Sequence, residues 1–241
     1  MRIAKEGYPL IFTAAILTLL AFLAGWMPLG IILGLVGIAI AGFFRDPERQ
    51  APAGEDLVVS PADGKVVSIA KVKGEPALTD SATRVSIFLS PLDVHINRTP
   101  VEGKIANVTY QRGKFLAAYK EEASRRNEQN ALSIVDSKGR TLSVVQIAGV
   151  MARRIICHAK PGDQLARGER FGLIMFGSRT DTYLPEGCRS KLPKGRESRA
   201  ERPYWRGLYE WNQPTAGAGT VSDRKERSIA APAGATAGSA A

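Results

Sequence analysis

The chain opens on one long apolar stretch and then changes its period. No charged residue stands between Glu6 and Arg45, and the stretch reads "YPLIFTAAILTLLAFLAGWMPLGIILGLVGIAIAGFF". A single spanning helix needs roughly 20 apolar residues, so this run is too long for one span and just long enough for two short ones. "GWMPLG" supplies the break, because Pro28 disfavours helix at Met27 while Gly25 and Gly30 loosen both flanks. Trp26 beside it suits an interfacial anchor. The pattern predicts two helices, at about 9–25 and 28–44, forming a hairpin. A cleaved signal peptide would have a shorter apolar core followed by a polar start, and the second apolar run argues against it. Length alone leaves open two spans, a shallow monotopic hairpin or a hairpin buried in a soluble core.

After the polar, proline-rich exit "RDPERQAPAGED" the pattern turns to short β runs. They read "LVVS", "KVVSIAKV", "RVSIFLS", "KIANVTY", "ALSIVD", "TLSVVQIAGV", "RRIICHA" and "RFGLIMF". Each is rich in Val and Ile and bounded by Gly, Pro, Asp or Asn. Few helix-length amphipathic stretches separate them, which argues for an antiparallel sandwich or barrel. "KFLAAYKEEASRR" is the one internal candidate helix, with a thin apolar stripe. The fold class expected is mainly β: a barrel-sandwich-like core with little helix, preceded by the hydrophobic hairpin. "PGDQLARGERFG" resembles the hairpin of biotinyl and lipoyl carrier domains. The corresponding tip, "MFGSRTD", lacks the lysine those modules modify.

These patterns divide the chain into a membrane-associated hairpin (1–44), a linker (45–56), a catalytic β domain (57–190) and a basic, Gly/Ala-rich tail (191–241). The end of the tail is too low in complexity to fold alone. Charge sharpens the picture: the net charge is +10. Such a balance points to a polyanionic partner. With an apolar hairpin at one end and no nucleic-acid recognition motif, anionic membrane lipid is the partner expected, and nucleic acid is not. Arg2 and Lys5 before the hairpin and Arg45 and Arg49 after it place both ends in the cytoplasm. A homo-oligomer is left open.

Candidate chemistry is sparse. The two cysteines, Cys157 and Cys188, form no framework and suggest a reducing compartment. No Cys/His cluster suggests a metal site. The only histidines are His95 and His158. "FGSRTD", at 176–181, raises a sharper question. A hydrolase elbow needs G-x-S-x-G, which Ser178 lacks. A tight turn is the ordinary reading of a Gly–Ser pair. The chemical reading is different: glycine adopts conformations closed to other residues, and a serine hydroxyl held against the preceding carbonyl can attack it. The peptide becomes an ester, elimination breaks the chain, and hydrolysis leaves a pyruvoyl group.

"FFRDPER", "SPADGKV", "LSPLDVHINRTPVEGKI" and "RFGLIMFGSRTDTYLP" occur in this order behind the apolar segment. Together they resemble the phosphatidylserine decarboxylase family in its short bacterial and archaeal form, over about 43–185. The resemblance implies a pyruvoyl-dependent enzyme of the cell membrane. It implies self-cleavage between Gly177 and Ser178, into a β chain ending at Gly177 and an α chain headed by the former Ser178. The pyruvoyl group made from Ser178 would form a Schiff base with the amine of phosphatidylserine, and phosphatidylethanolamine would leave. His95 matches a family histidine and is the acid/base candidate. Asp63 in "PADG" resembles the family's cleavage-assisting aspartate. Longer members carry a second histidine three residues after the first, and here that position is Arg98. His158 matches no such position and is expected to be structural. Arg179, Arg98 and Arg126 are candidates for the lipid phosphate or carboxylate, or else surface arginines. Asn127 and Asn130 lie in a similar segment without an assigned role. The alternative is a membrane-tethered, non-catalytic barrel-sandwich binding module.

Overall fold

The computed structural model describes residues 2–54, 56–73, 81–150, 154–175, 177–185, 188–190 and 209–211. The apolar stretch forms helices α1 (Tyr8–Leu23) and α2 (Met27–Phe43), with proline in the first turn of each. Proline costs nothing there, because the amide it lacks has no intrahelical partner. The helices pack through small residues. A side chain on Gly30 would strike the Phe22 ring, while Gly34 and Gly37 face Thr18 and Ala14. Lys5–Leu23 is long and apolar enough to cross a membrane, with a mean hydropathy of 1.7, whereas Met27–Phe43 is shorter. Most of the large apolar side chains on both helices are exposed.

The remainder is mainly β, as the alternating runs predict. One antiparallel sheet runs in the order β11 (Gln164–Leu165), β7 (Gly103–Gln111), β8 (Gln129–Val135), β9 (Thr141–Ile147), β13 (Ser178–Pro185), β5 (Ala82–Leu89), β4 (Lys65–Val72). A smaller sheet is β10 (Ile155–Cys157), β12 (Arg170–Ile174), β6 (Ile96–Arg98). A third joins β14 (Cys188–Ser190), β15 (Tyr209–Trp211) and β3 (Leu57–Val58). Among the described residues no sheet closes into a barrel. The core is aliphatic and includes Ile87, Leu89, Ile105, Leu132, Ile134, Leu142, Val144, Phe171 and Leu184.

Two readings change. The candidate helix reduces to one turn, α3 (Ala123–Arg126). The side chain of Asn127 replaces helix upstream of it: its Oδ1 accepts from Leu116 N–H at 2.9 Å, and its Nδ2 donates to Leu116 carbonyl at 2.8 Å. In the tail, Tyr209–Trp211 pairs with β14 and β3, and the rest of 191–241 lies outside the described residues.

The hairpin is joined to the β domain by both apolar and ionic contacts. Phe43 and Phe44, at the end of α2, pack with Ala4, Val94, Ile96 and Leu173. β1 (Arg2–Ile3) pairs with β2 (Arg45–Asp46) across the mouth of the hairpin. Asp46 binds Arg98 at 3.0 Å and Arg170 at 2.6 Å. Arg49 binds Asp63 at 2.6 Å. "FFRDPER" is therefore a clamp that fixes the C-terminal end of α2 against β6 and β12.

Candidate active site

Ser178 begins β13, the strand between β9 and β5 in the large sheet, and lies opposite Leu89 of β5. Residues 178–184 are all buried, although the segment reads as polar. Its charge is neutralised internally. Arg179 Nε donates to Asp181 at 2.6 Å, and its other nitrogens donate to Ser86 Oγ at 2.6 Å and to Lys120 carbonyl at 3.0 Å. Ser124 Oγ donates to Asp181 at 2.7 Å. Arg179 thus holds the strand in place beneath Ser178. Its guanidinium is committed to protein partners and is 1% exposed.

The turn before Ser178 is left-handed, a conformation glycine adopts without strain: Gly177 has φ of +62°. Ser178 Oγ is buried and has no hydrogen-bond partner among the described residues. A buried hydroxyl without a partner is costly in an ordinary turn, by roughly 1–3 kcal/mol.

His95 reaches the same turn. Its Nε2 accepts a long bond of 3.4 Å from Gly177 N–H. Its Nδ1 lies 2.9 Å from the Asp93 carbonyl. A carbonyl only accepts, so Nδ1 carries the hydrogen and Nε2 keeps its lone pair. Asp93 is itself fixed by its turn, its carboxylate accepting from Ser90 N–H at 2.7 Å. The Phe43 ring covers the imidazole, with centroids 4.2 Å apart. Burial lowers the His95 pKa from 6.5 to about 4, opposed by the Asp93 carbonyl. The ring is therefore neutral at neutral pH, as a proton acceptor must be.

A buried polar chain ties the histidine's strand to the serine's. Asn130 Nδ2 donates to Gln146 Oε1 at 3.1 Å, Gln146 Nε2 to Asn97 Oδ1 at 2.9 Å, and Asn97 Nδ2 to Thr180 Oγ1 at 3.1 Å. Asn97 is two residues from His95 and Thr180 two from Ser178. Every member is at most 3% exposed, and a fully satisfied buried network of this kind rigidifies its surroundings.

Of the residues singled out in the sequence, the fold brings Gly177, Ser178 and His95 together. Asp63 is buried but bonded to Arg49, and the bond that orients His95 comes from Asp93. Burial raises the Asp63 pKa while Arg49 opposes the rise. Arg98 is buried, donates to Asp46, Pro47 and Gly168, and has a pKa lowered to about 10 by desolvation. Arg126 stays at the surface, 3.6 Å from Glu122. His158 is exposed, with Nε2 2.9 Å from Glu6. Sequence reading missed Asp93, Phe43 and Gly149, the last packed against the Gly177 carbonyl. "SPLD" reads as a turn and "IAGV" as a strand end, so neither gives a signal of its own.

The loops around the site expose apolar side chains. Leu92 is 83% exposed, Tyr119 63% and Val150 56%. Leu92 carbonyl accepts from Arg45 at the end of the hairpin, which ties this loop to α2. A separate cavity of about 620 Å³, lined by residues such as Lys104, Asp136 and Gln164, contains none of the site residues.

Fold and site define a class: a β protein clamped to an apolar helical hairpin, with a neutral histidine set on a left-handed Gly–Ser turn. Comparison with known proteins agrees with that class and narrows it. The family profile described as phosphatidylserine decarboxylase matches residues 37–203. The phosphatidylserine decarboxylase proenzyme of Nitrosomonas europaea is 46% identical over 194 residues, covering 80% of this chain and 89% of that one. The proenzyme of that name from Geobacter metallireducens is 44% identical over 198 residues, covering 80% and 90%. The chain belongs to the phosphatidylserine decarboxylase family, and it is a decarboxylase enzyme.

Proposed function

We propose that this chain is a proenzyme that cuts itself between Gly177 and Ser178 and then decarboxylates phosphatidylserine to phosphatidylethanolamine. The observation that carries the reading is the unpartnered, buried Ser178 Oγ beside a positive-φ glycine whose amide is bonded to a neutral histidine. In the first step Ser178 Oγ attacks the Gly177 carbonyl carbon. The hydroxyl proton passes to His95 Nε2, the Gly177–Ser178 C–N bond breaks, and the released nitrogen takes the proton. The resulting ester loses the proton on the Ser178 α-carbon, and its Cβ–O bond breaks, freeing Gly177 as a carboxylate. Water then replaces the nitrogen as ammonia and leaves a ketone at the head of the α chain.

The residues fit such a group: the Ser178 position is buried at the start of a strand pinned on both sides, with His95 at its edge. A pyruvoyl group there supplies an electron-accepting carbonyl for loss of carbon dioxide from an amino acid headgroup. His95 then serves as the proton carrier. Asp63, bonded to Arg49 at 2.6 Å, holds the segment after the hairpin against the β domain. Arg45 and the apolar rim face the bilayer, so a lipid headgroup enters without leaving the interface. The basic charge of the chain favours anionic lipid, and Arg2, Lys5, Arg45 and Arg49 put the β domain on the cytoplasmic side of the cell membrane. The β and α chains stay together as strands of one sheet.

Intact mass of the purified protein tests this reading. It predicts two chains meeting at Gly177/Ser178, with a blocked α-chain start, and a Ser178→Ala protein that stays uncut and inactive. A single uncut chain from cells with phosphatidylserine decarboxylase activity, or cleavage of the variant at that bond, would refute it.

A further inference from the structure

Gly149 follows β9 and lies on the scissile turn. A β-carbon built on Gly149 would stand 2.1 Å from the Gly177 carbonyl oxygen and 3.2 Å from its carbon. We propose that Gly149 is a positioning residue for self-cleavage: its bare α-carbon is the surface that holds the Gly177 carbonyl where Ser178 Oγ can attack it. The inference rests on the self-cleavage reading and adds a residue to it.

Three observations carry it. Gly149 is not among the glycines with positive φ, so its backbone conformation is open to alanine and only the contact forbids a side chain. The atom it would strike is backbone, with no flexible end to swing aside. The Gly149 side cannot retreat, because Ala148 is held at both ends. Its N–H donates to Glu128 carbonyl at 2.9 Å, and its carbonyl accepts from Asn127 Nδ2 at 2.7 Å. Asn127 is 1% exposed and also grips Leu116, while Ala118 Cβ lies 3.3 Å from the built carbon. By contrast, a β-carbon built on Gly177 meets nothing within 4 Å. A methyl at 149 therefore displaces the Gly177 carbonyl and leaves the 148–149 segment in place. A displacement of about 1 Å from attack geometry lowers a rate by roughly a hundredfold.

The test uses the full chain synthesised into phosphatidylglycerol nanodiscs, with wild type and Gly149→Ala followed on gels across pH. The expected result is cleavage about a hundredfold slower in Gly149→Ala at every pH, with the pH of the inflection unmoved. A general loosening would hydrate His95 and move the inflection up toward 6.5, which would overturn the inference. Cleavage at the wild-type rate would also overturn it. If Gly149→Ala stays wholly uncut, its thermal unfolding decides. A cooperative transition close to that of Ser178→Ala supports the inference, and loss of cooperative unfolding overturns it. A wild-type chain that stays uncut refutes the self-cleavage reading itself, which separates the two failures.

Discussion

Bringing a freshly made precursor from pH 8 to pH 5 should leave self-cleavage almost unchanged. If His95 Nε2 takes the proton as proposed, the rate should follow the neutral fraction of His95. Burial under Phe43 and against β6 lowers its pKa to about 4. At pH 5 that leaves about 90% of the rings neutral, whereas a solvent-exposed histidine of pKa ≈ 6.5 would be about 3% neutral. The two cases differ roughly thirtyfold in rate at pH 5. The assay is synthesis at pH 8, a rapid pH jump, and the time course of the two-chain product on a gel. An inflection near 6.5 would refute the placement of the histidine or its role as base. Phe43→Ala should hydrate the ring and move the inflection upward. The same shift is a stability statement. The folded pKa lies below the unfolded one, so between about 4 and 6.5 the unfolded chain binds the extra proton. Stability contributed at neutral pH is lost as pH falls through that window, by about 3 kcal/mol in total.

Other consequences follow from the neighbouring residues. Asp181→Ala, made in the uncut Ser178→Ala background, leaves the Arg179 guanidinium buried without its carboxylate. Breaking a buried pair in this way costs about 3–5 kcal/mol, so thermal unfolding should fall by on the order of 10 °C, and an unchanged midpoint would show the pair to be dispensable. Leu92→Asp puts a charge on a side chain that is 83% exposed at the rim. Self-cleavage should be unaffected, while decarboxylation in anionic vesicles should weaken roughly tenfold through KM, the scale of one lost apolar contact plus repulsion. Equal activity on vesicles would remove the rim from lipid contact.

The two halves of the chain were legible to different degrees. The hairpin needed only the absence of charge between Glu6 and Arg45 and the break at Pro28, because a helix in an apolar solvent satisfies its backbone internally. Most long strands of the large sheet were equally plain, since Val- and Ile-rich runs between turn residues have few alternatives. β13 was not. "SRTDTYLP" carries Arg, Asp, Thr and Ser where a central strand normally carries aliphatics. Its polarity is cancelled by Arg179 pairing with Asp181 and by bonds to Ser86, Ser124 and Lys120. No periodicity announces that arrangement, and departures from local rules concentrate at functional sites. Arg98 was ambiguous for the same reason, because Asp46 and Gly168 are distant in sequence and only the fold brings them together.

By itself, then, the sequence determined the candidate residues and the apolar hairpin that precedes them. Ser178 has no hydrolase context, glycine precedes it, His95 lies in a segment of matching order, and an apolar hairpin with basic flanks stands ahead of them. The tertiary structure decided the surroundings of those residues. It removed water from His95 and left its Nε2 neutral at Gly177. Among the described residues it left Ser178 Oγ without a hydrogen-bond partner, fixed β13 through a buried ion pair, and laid the Gly177 carbonyl on Gly149. Each is a matter of distances between residues far apart in the chain, and desolvation and orientation exist only once those distances are set.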